Sequence, residues 1–205
     1  MKNVDFADFA FDRKLMKSTK VKPAAKKPGG KVSASAVKIR VVKGDVAATV
    51  ADAVVNAANE HLRAGSGICG AIFRRAGLAQ LQAACDKVAP CPTGEARVTP
   101  AFGITNAKYI IHAVGPRYVD GRHGEPEKLA SCYRNLLSAA VENGCKSVAV
   151  PSISTGVFGY PLKEAVAIAV RETKAFLAAH PDLKVVFVAW DDATKALYDN
   201  EVVAG

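Results

Sequence analysis

Three short stretches of this chain combine glycine with small polar residues in a way that suits phosphate chemistry. The first is Gly44-Asp45-Val46. The second runs from Asn56-Ala57-Ala58-Asn59 to Gly65-Ser66-Gly67-Ile68-Cys69-Gly70-Ala71-Ile72, and the third from Pro151 through Ser154-Thr155-Gly156-Val157-Phe158 to Pro161. Glycine lets backbone amides approach a phosphate with no side chain in the way, and a helix start adds roughly half a positive charge. Two such loops facing each other would clamp a diphosphate without Lys, Arg or a metal ion. No Gly-x-x-x-x-Gly-Lys-Ser/Thr run is present, which excludes a P-loop, and a dinucleotide fingerprint is not assigned either.

Other candidate groups divide by context. Asp45 is a carboxylate at a strand end, suited to accept a hydrogen bond from a ligand amine or to cap a turn. Phe158 and Trp190 lie beside small residues at loop and strand ends, where stacking on a ligand competes with a place in the core. Asn56 is expected to satisfy backbone groups of its own loop. His112 lies inside an apolar run and reads as a core histidine, whereas His61 and His123 sit in polar stretches facing solvent. The five cysteines (Cys69, Cys85, Cys91, Cys132, Cys145) form an odd set with no CxxC pair. They read as buried free thiols of a reducing, cytoplasmic compartment, and no metal site is expected.

These loops need strands and helices to hold them. Period-two alternation over 37–42 and short apolar runs at 53–55, 96–99, 109–114, 148–151 and 185–190 predict strands. Helical spacing predicts helices from Gly70 to Ala76, Leu78 to Val88, Glu127 to Glu142, Lys163 to Ala179 and Ala193 to Tyr198. Strands alternating with helices, several of them apolar on both faces, predict a three-layer α/β/α sandwich around a mixed, mostly parallel sheet of about six strands. The three loops then follow strand ends, where open α/β sheets bind ligands.

Charge separates this domain, taken as residues 37–205, from what precedes it. Residues 1–36 hold eight Lys and one Arg against three Asp, a net of +6, while the other 169 hold 19 basic and 16 acidic groups, a net of +3. With so little to bury, the segment is expected to be a flexible tail. It suits weak contact with nucleic acid or serves as a solubilising linker. No apolar run reaches the length of a membrane span and the first residues lack the pattern of a secretory signal, so neither is expected.

Taken in order, GDV (44–46), VVNAANEHL (54–62), GSGICGAIFRRAG (65–77), PTGEARVT (92–99), IIHAVGP (110–116) and PSISTGVFGYP (151–161) resemble the macrodomain family. The resemblance covers roughly Val37 to Tyr198 and is closest to the MacroD-type branch, which hydrolyses mono-ADP-ribosylated proteins and O-acetyl-ADP-ribose. It implies that ADP-ribose or an ADP-ribosylated protein is the partner, with no cofactor. In that family Asp45 would accept the adenine amino group, Val46 would flank the ring and Trp190 would lie beneath it. Asn59 and Phe158 would hold the distal ribose. The amides of Gly67, Ile68, Gly70 and Ile72, with those of Ser154, Thr155, Gly156, Val157 and Phe158, would hold the diphosphate. The resemblance implies a metal-independent ester hydrolase, with Asn59 and Cys69 as candidate catalytic residues. MacroD-type hydrolases carry an Asp where this chain has Cys69. A thiol replaces it poorly as a general base unless the helix start lowers its pKa. Two other functions stay open: a reader that binds ADP-ribose without cleaving it, and an RNA-binding protein using pocket and tail together.

Overall fold

The computed structural model describes residues 38–204. The basic segment 1–36, with the contacts expected of it, lies outside the described residues, as does Val37. The elements run β1 (Ile39–Lys43), β2 (Ala53–Ala57), α1 (Gly67–Ala76), α2 (Leu78–Val88), β3 (Ala96–Pro100) and β4 (Tyr109–Ala113). They continue as α3 (Glu125–Glu142), β5 (Ser147–Pro151), α4 (Leu162–Ala179), β6 (Lys184–Ala189) and α5 (Asp192–Ala204). The six strands form one sheet in the order β1-β6-β5-β2-β4-β3, parallel except where β3 runs against β4.

Strand alternation explains the layers. Val54, Ile110, Ala149 and Val188 face one core, which α1 and α2 close with Ile72, Phe73, Ala76, Leu81 and Cys85. Val55, Ile111, Val148, Val150 and Phe187 face the other, closed by Leu129, Tyr133 and Leu136 of α3, Ile168 and Ala169 of α4, and Tyr198 of α5. Each fully buried side chain of this size contributes about 1.5–3 kcal/mol through loss of apolar surface to water. A sheet covered on both faces keeps its strands apolar throughout, so the continuous runs read as strands.

The element ends differ from expectation most at two helices. Helix α1 begins at Gly67, because Gly70 N already donates to Ser66 O at 3.2 Å and starts the helical ladder there. Helix α5 runs on past Tyr198 to Ala204, since Val202 packs against the core as Leu197 does.

One polar cluster interrupts the apolar interior. Asn56 on β2 pairs with His112 on β4 in the parallel register, and both side chains are fully buried. Asn56 Nδ2 lies 3.1 Å from His112 Nδ1, and His112 Nε2 lies 2.9 Å from Thr99 Oγ1. With Nδ1 accepting, the ring donates from Nε2 and stays neutral. Burial lowers the His112 pKa to about 3. All five cysteines are free and buried, and burial pushes every one of these thiols up.

The buried histidine sets a pH dependence. In the unfolded chain His112 protonates near its ordinary pKa of 6.5, and in the fold it stays neutral down to about 3. The unfolded state therefore binds the extra proton in that window. Stability is complete above about pH 6.5 and falls as pH drops, by about 1.4 kcal/mol per pH unit at most. Denaturant unfolding between pH 6.5 and 4.5 should show this slope in the parent and lose most of it in His112→Gln. An unchanged slope would mean that the ring titrates within the fold.

Candidate functional site

The loops singled out in the sequence all leave the same edge of the sheet, where the parallel strands end. Because the order is β1-β6-β5-β2-β4, their residues line up along that edge in a fixed sequence. Asp45 follows β1, Trp190 follows β6, the 152–160 loop follows β5, the Asn59 loop follows β2, and Gly115 follows β4. The edge is thus a crest that can lie along an extended ligand.

At the first end, Gly44 N donates to Ala189 O at 2.9 Å, so Asp45 and Trp190 emerge side by side. Asp45 caps the short 3-10 turn Val46–Ala48, its Oδ1 accepting from Ala47 N at 2.9 Å. Its Oδ2 faces solvent and lies 3.3 Å from Arg75 Nη1, at the end of α1. Sequence reasoning missed Arg75, whose distance from Asp45 along the chain conceals the contact. The carboxylate is oriented by two donors while remaining half-exposed to a third. Val46 is buried beside it, and the Trp190 ring is 78% exposed, an aromatic surface with little covering it.

In the middle lie two sets of backbone donors. Ser154 has a left-handed backbone, φ +68°, and its buried Oγ has no hydrogen-bond partner among the described residues. Tyr160 N closes back on Ser154 O at 3.0 Å and Gly159 N on Gly156 O at 2.9 Å. These closures bend the loop so that the amides of Thr155, Gly156, Val157 and Phe158 have no acceptor among the described residues. Gly115 packs against the bend so closely that a Cβ there would stand 2.2 Å from Ser154 Oγ. Across from it starts α1, capped by Ser66 without a side-chain bond. Gly70 and Ile72 sit inside the helical ladder, so the donors at that end without an acceptor among the described residues are Gly67, Ile68 and Cys69.

The run Gly65-Ser66-Gly67-Ile68-Cys69-Gly70 has Gly-x-Gly-x-x-Gly spacing, contrary to the expectation that the chain holds no such run. It follows a loop rather than a strand, so the dinucleotide context is lacking. Its last glycine serves packing: a Cβ on Gly70 would come 2.3 Å from Gly65 O.

Asn59, not Asn56, satisfies its own loop: its Nδ2 donates to Arg63 O at 2.8 Å and its Oδ1 accepts from Arg63 N at 3.1 Å. Asn56 faces inward to His112 and sends Nδ2 to Cys69 Sγ at 3.7 Å. Cys69 is 6% exposed, and its thiol lies 3.6 Å from Arg63 O, to which it donates. Burial raises its pKa, against the pull of the Asn56 contact. The thiol is therefore neutral at pH 7 despite its place at a helix start. Asn59 and Cys69 do share one neighbourhood, since a Cβ on Gly65 would touch Cys69 Sγ at 3.8 Å and Asn59 Nδ2 at 4.0 Å.

At the far end, Tyr118 N donates to Phe158 O at 2.8 Å, and the Arg117 guanidinium lies over the half-buried Phe158 ring, 5.0 Å from its centroid. One group that could hold a metal ion arises although none was expected: ligand atoms of Asp120, His123 and Glu125 lie within 4.8 Å of one another. Hydrogen bonds account for it. Glu125 accepts from Val119 N, Asp120 N and His123 N, and Asp120 Oδ1 accepts from Arg122 N and meets His123 Nδ1. Burial opposes ionisation of Glu125, but these amides outweigh it and hold its pKa at about 2. The cluster fastens the turn into α3.

Comparison with known proteins bears on the family and the fold. The macro domain family model matches residues 55–169. A macro domain-containing protein of Chlorobaculum tepidum is 44% identical over 170 residues, covering 82% of this chain and 98% of its own. A Klebsiella pneumoniae protein named O-acetyl-ADP-ribose deacetylase is 45% identical over 168 residues, covering 80% and 95%. Among solved structures, a mutant of the Oceanobacillus iheyensis macrodomain with ADPR is similar at a TM-score of 0.76 and 35% identity, covering 80% of this chain and 91% of that one. The Trypanosoma brucei macrodomain in complex with ADP-ribose is similar at a TM-score of 0.73 and 37% identity, covering 82% and 69%. With its sheet order, its crest of strand-end loops and these relatives in agreement, this chain belongs to the macrodomain family.

Proposed function

We propose that this domain binds ADP-ribose along the crest and hydrolyses mono-ADP-ribosyl esters, on protein Asp or Glu side chains or on acetate. The observation that carries the binding is the row of amides at Thr155–Phe158, after β5, and at Gly67–Cys69, at the start of the helix that follows the neighbouring strand β2, which have no acceptor among the described residues. A diphosphate satisfies both sets at once and lies in the positive field of the helix start. Adenine then falls at Asp45 and Trp190, its amino group donating to Asp45 and its ring on the exposed indole. The distal ribose falls at Asn59 and Phe158. The solved macrodomains with ADPR and with ADP-ribose, and the name of the Klebsiella pneumoniae relative, support the same reading.

Hydrolysis places the hydroxyl of water on the distal ribose carbon or on the acyl carbon, and its proton on the oxygen that leaves. Among the described residues, neither Cys69 nor His112 offers an ionised base beside the ribose. Cys69 is buried and neutral, and His112 is buried out of reach. The diphosphate of the substrate itself therefore takes the role of activating water, with Asn59 orienting the ribose and no metal required. The same absence of a base supports a second reading, a reader that holds ADP-ribose without cleaving it.

Titration calorimetry should give micromolar ADP-ribose binding, about −8 kcal/mol, and no heat at millimolar ligand would falsify the assignment. Asp45→Ala should weaken binding by about 1.5–3 kcal/mol, the usual loss of a hydrogen bond to a charged group. Unchanged affinity in the folded variant means that the adenine binds elsewhere.

Cys69 separates the mechanisms. With substrate-assisted attack, Cys69→Ala keeps the rate of ester hydrolysis within about tenfold, whereas loss of a general base costs about 10²–10⁴-fold. Release of no ADP-ribose from a modified acceptor by either parent or Cys69→Asp, with binding intact, assigns the reader role.

A further inference from the structure

Beyond β4, the chain turns back across the sheet edge through Gly115 and Pro116 to meet the loop that follows β5. The close approach of Gly115 to Ser154 and the bond from Tyr118 N to Phe158 O fasten that crossing on both sides of Arg117. The guanidinium is thereby delivered onto the Phe158 ring. Arg117 is exposed and makes no ion pair with any described residue, as is also so of Arg40, Arg74 and Arg122, but it differs from these in its seat over an aromatic ring.

A guanidinium stacked on a ring by its face keeps the N–H donors in its plane free. Those donors match a carboxylate in a two-point contact, and the stacking has already cost part of the entropy of holding the side chain still. Val119 and Val157, next in the chain to the bonded pair Tyr118 and Phe158, are 68% and 75% exposed and add an apolar margin.

The position of this group decides what it meets. Asp45 and Trp190 mark the β1–β6 end of the crest, whereas Arg117 leaves β4, at the other end of the parallel strands, and reaches back onto Phe158 of the loop that follows β5. On the reading proposed above, on which this inference rests, adenine occupies the first end. The ribose carbon that bears the acceptor then points toward the second. We propose that Arg117, seated on Phe158, recognises the acceptor segment and selects adducts whose modified residue is flanked by further Asp or Glu side chains. The preferred substrate is an ADP-ribosylated acidic peptide, not a free nucleotide.

Two synthetic peptides carrying one ADP-ribosyl group through a non-hydrolysable linkage test this in the full chain. One has Asp and Glu beside the modified position, the other Asn and Gln. The parent should bind the acidic peptide about five- to tenfold more tightly at low salt, and the preference should shrink as ionic strength rises. Arg117→Gln should abolish the preference, read as the ratio of the two peptide affinities, because any loss transmitted through Phe158 to the ADP-ribosyl group is common to both peptides and cancels in that ratio. Arg117→Lys should keep only part of it. Equal binding of both peptides by the parent, or a preference that survives Arg117→Gln, overturns the inference while ADP-ribose binding stands. No binding of free ADP-ribose by any variant overturns the crest reading and this one together.

Discussion

β2 lies between β5 and β4, with both neighbours parallel to it, and the remaining architecture of the site follows from that pairing. Parallel strands all end at one edge, so every loop that leaves them starts from the same side. Both faces of the sheet are closed by helices, which leaves that edge as the place for polar chemistry. A row of loops in a fixed lateral order can read a long ligand piece by piece. It does so with backbone donors, because small residues at the strand ends leave the amides accessible.

Much of this was legible in the chain itself. Helix α2 occupies Leu78 to Val88 as the apolar spacing indicates, and the apolar runs fall on strands to within about two residues. Local signals sufficed there, since each depends on neighbours a few positions away. Asn56 shows where they fail. It reads as the first residue of a polar loop, yet it is the fourth residue of β2, buried because His112 on the adjacent strand receives its side chain. Asn59 looks equally free and is bound to Arg63. The resemblance named the ligand but could not tell which asparagine was committed to the fold. Arg75 and Arg117 carried no signal at all, because the groups they meet lie far away in sequence. The basic segment drew attention by composition, and the described residues begin after it.

The buried polar cluster has a second effect on the site. Asn56, Cys69, Cys85 and His112 form one contact chain from the interior to the start of α1. Each member is held neutral by burial or has no charge to lose. A neutral scaffold beside a bound diphosphate adds no repulsion, so the amides that face the phosphates act unopposed. An acid in place of Cys69 would sit in the same neighbourhood and bring a charge of the same sign as the ligand's. Attraction for a water proton and repulsion of the diphosphate would then compete at one position.

The two margins of the sheet also bear on how the molecule behaves among its copies. A strand with an unpaired flank invites another chain to add to it. Here the flank beside β4 ends in Pro100, which has no N–H to offer, and β3 is short. At the opposite margin β1 exposes Arg40, whose charge resists a flat approach by a second strand of the same composition, while Lys43 is paired with Asp192 at 2.7 Å. Among the described residues, both margins thus carry features that discourage a further strand from adding laterally.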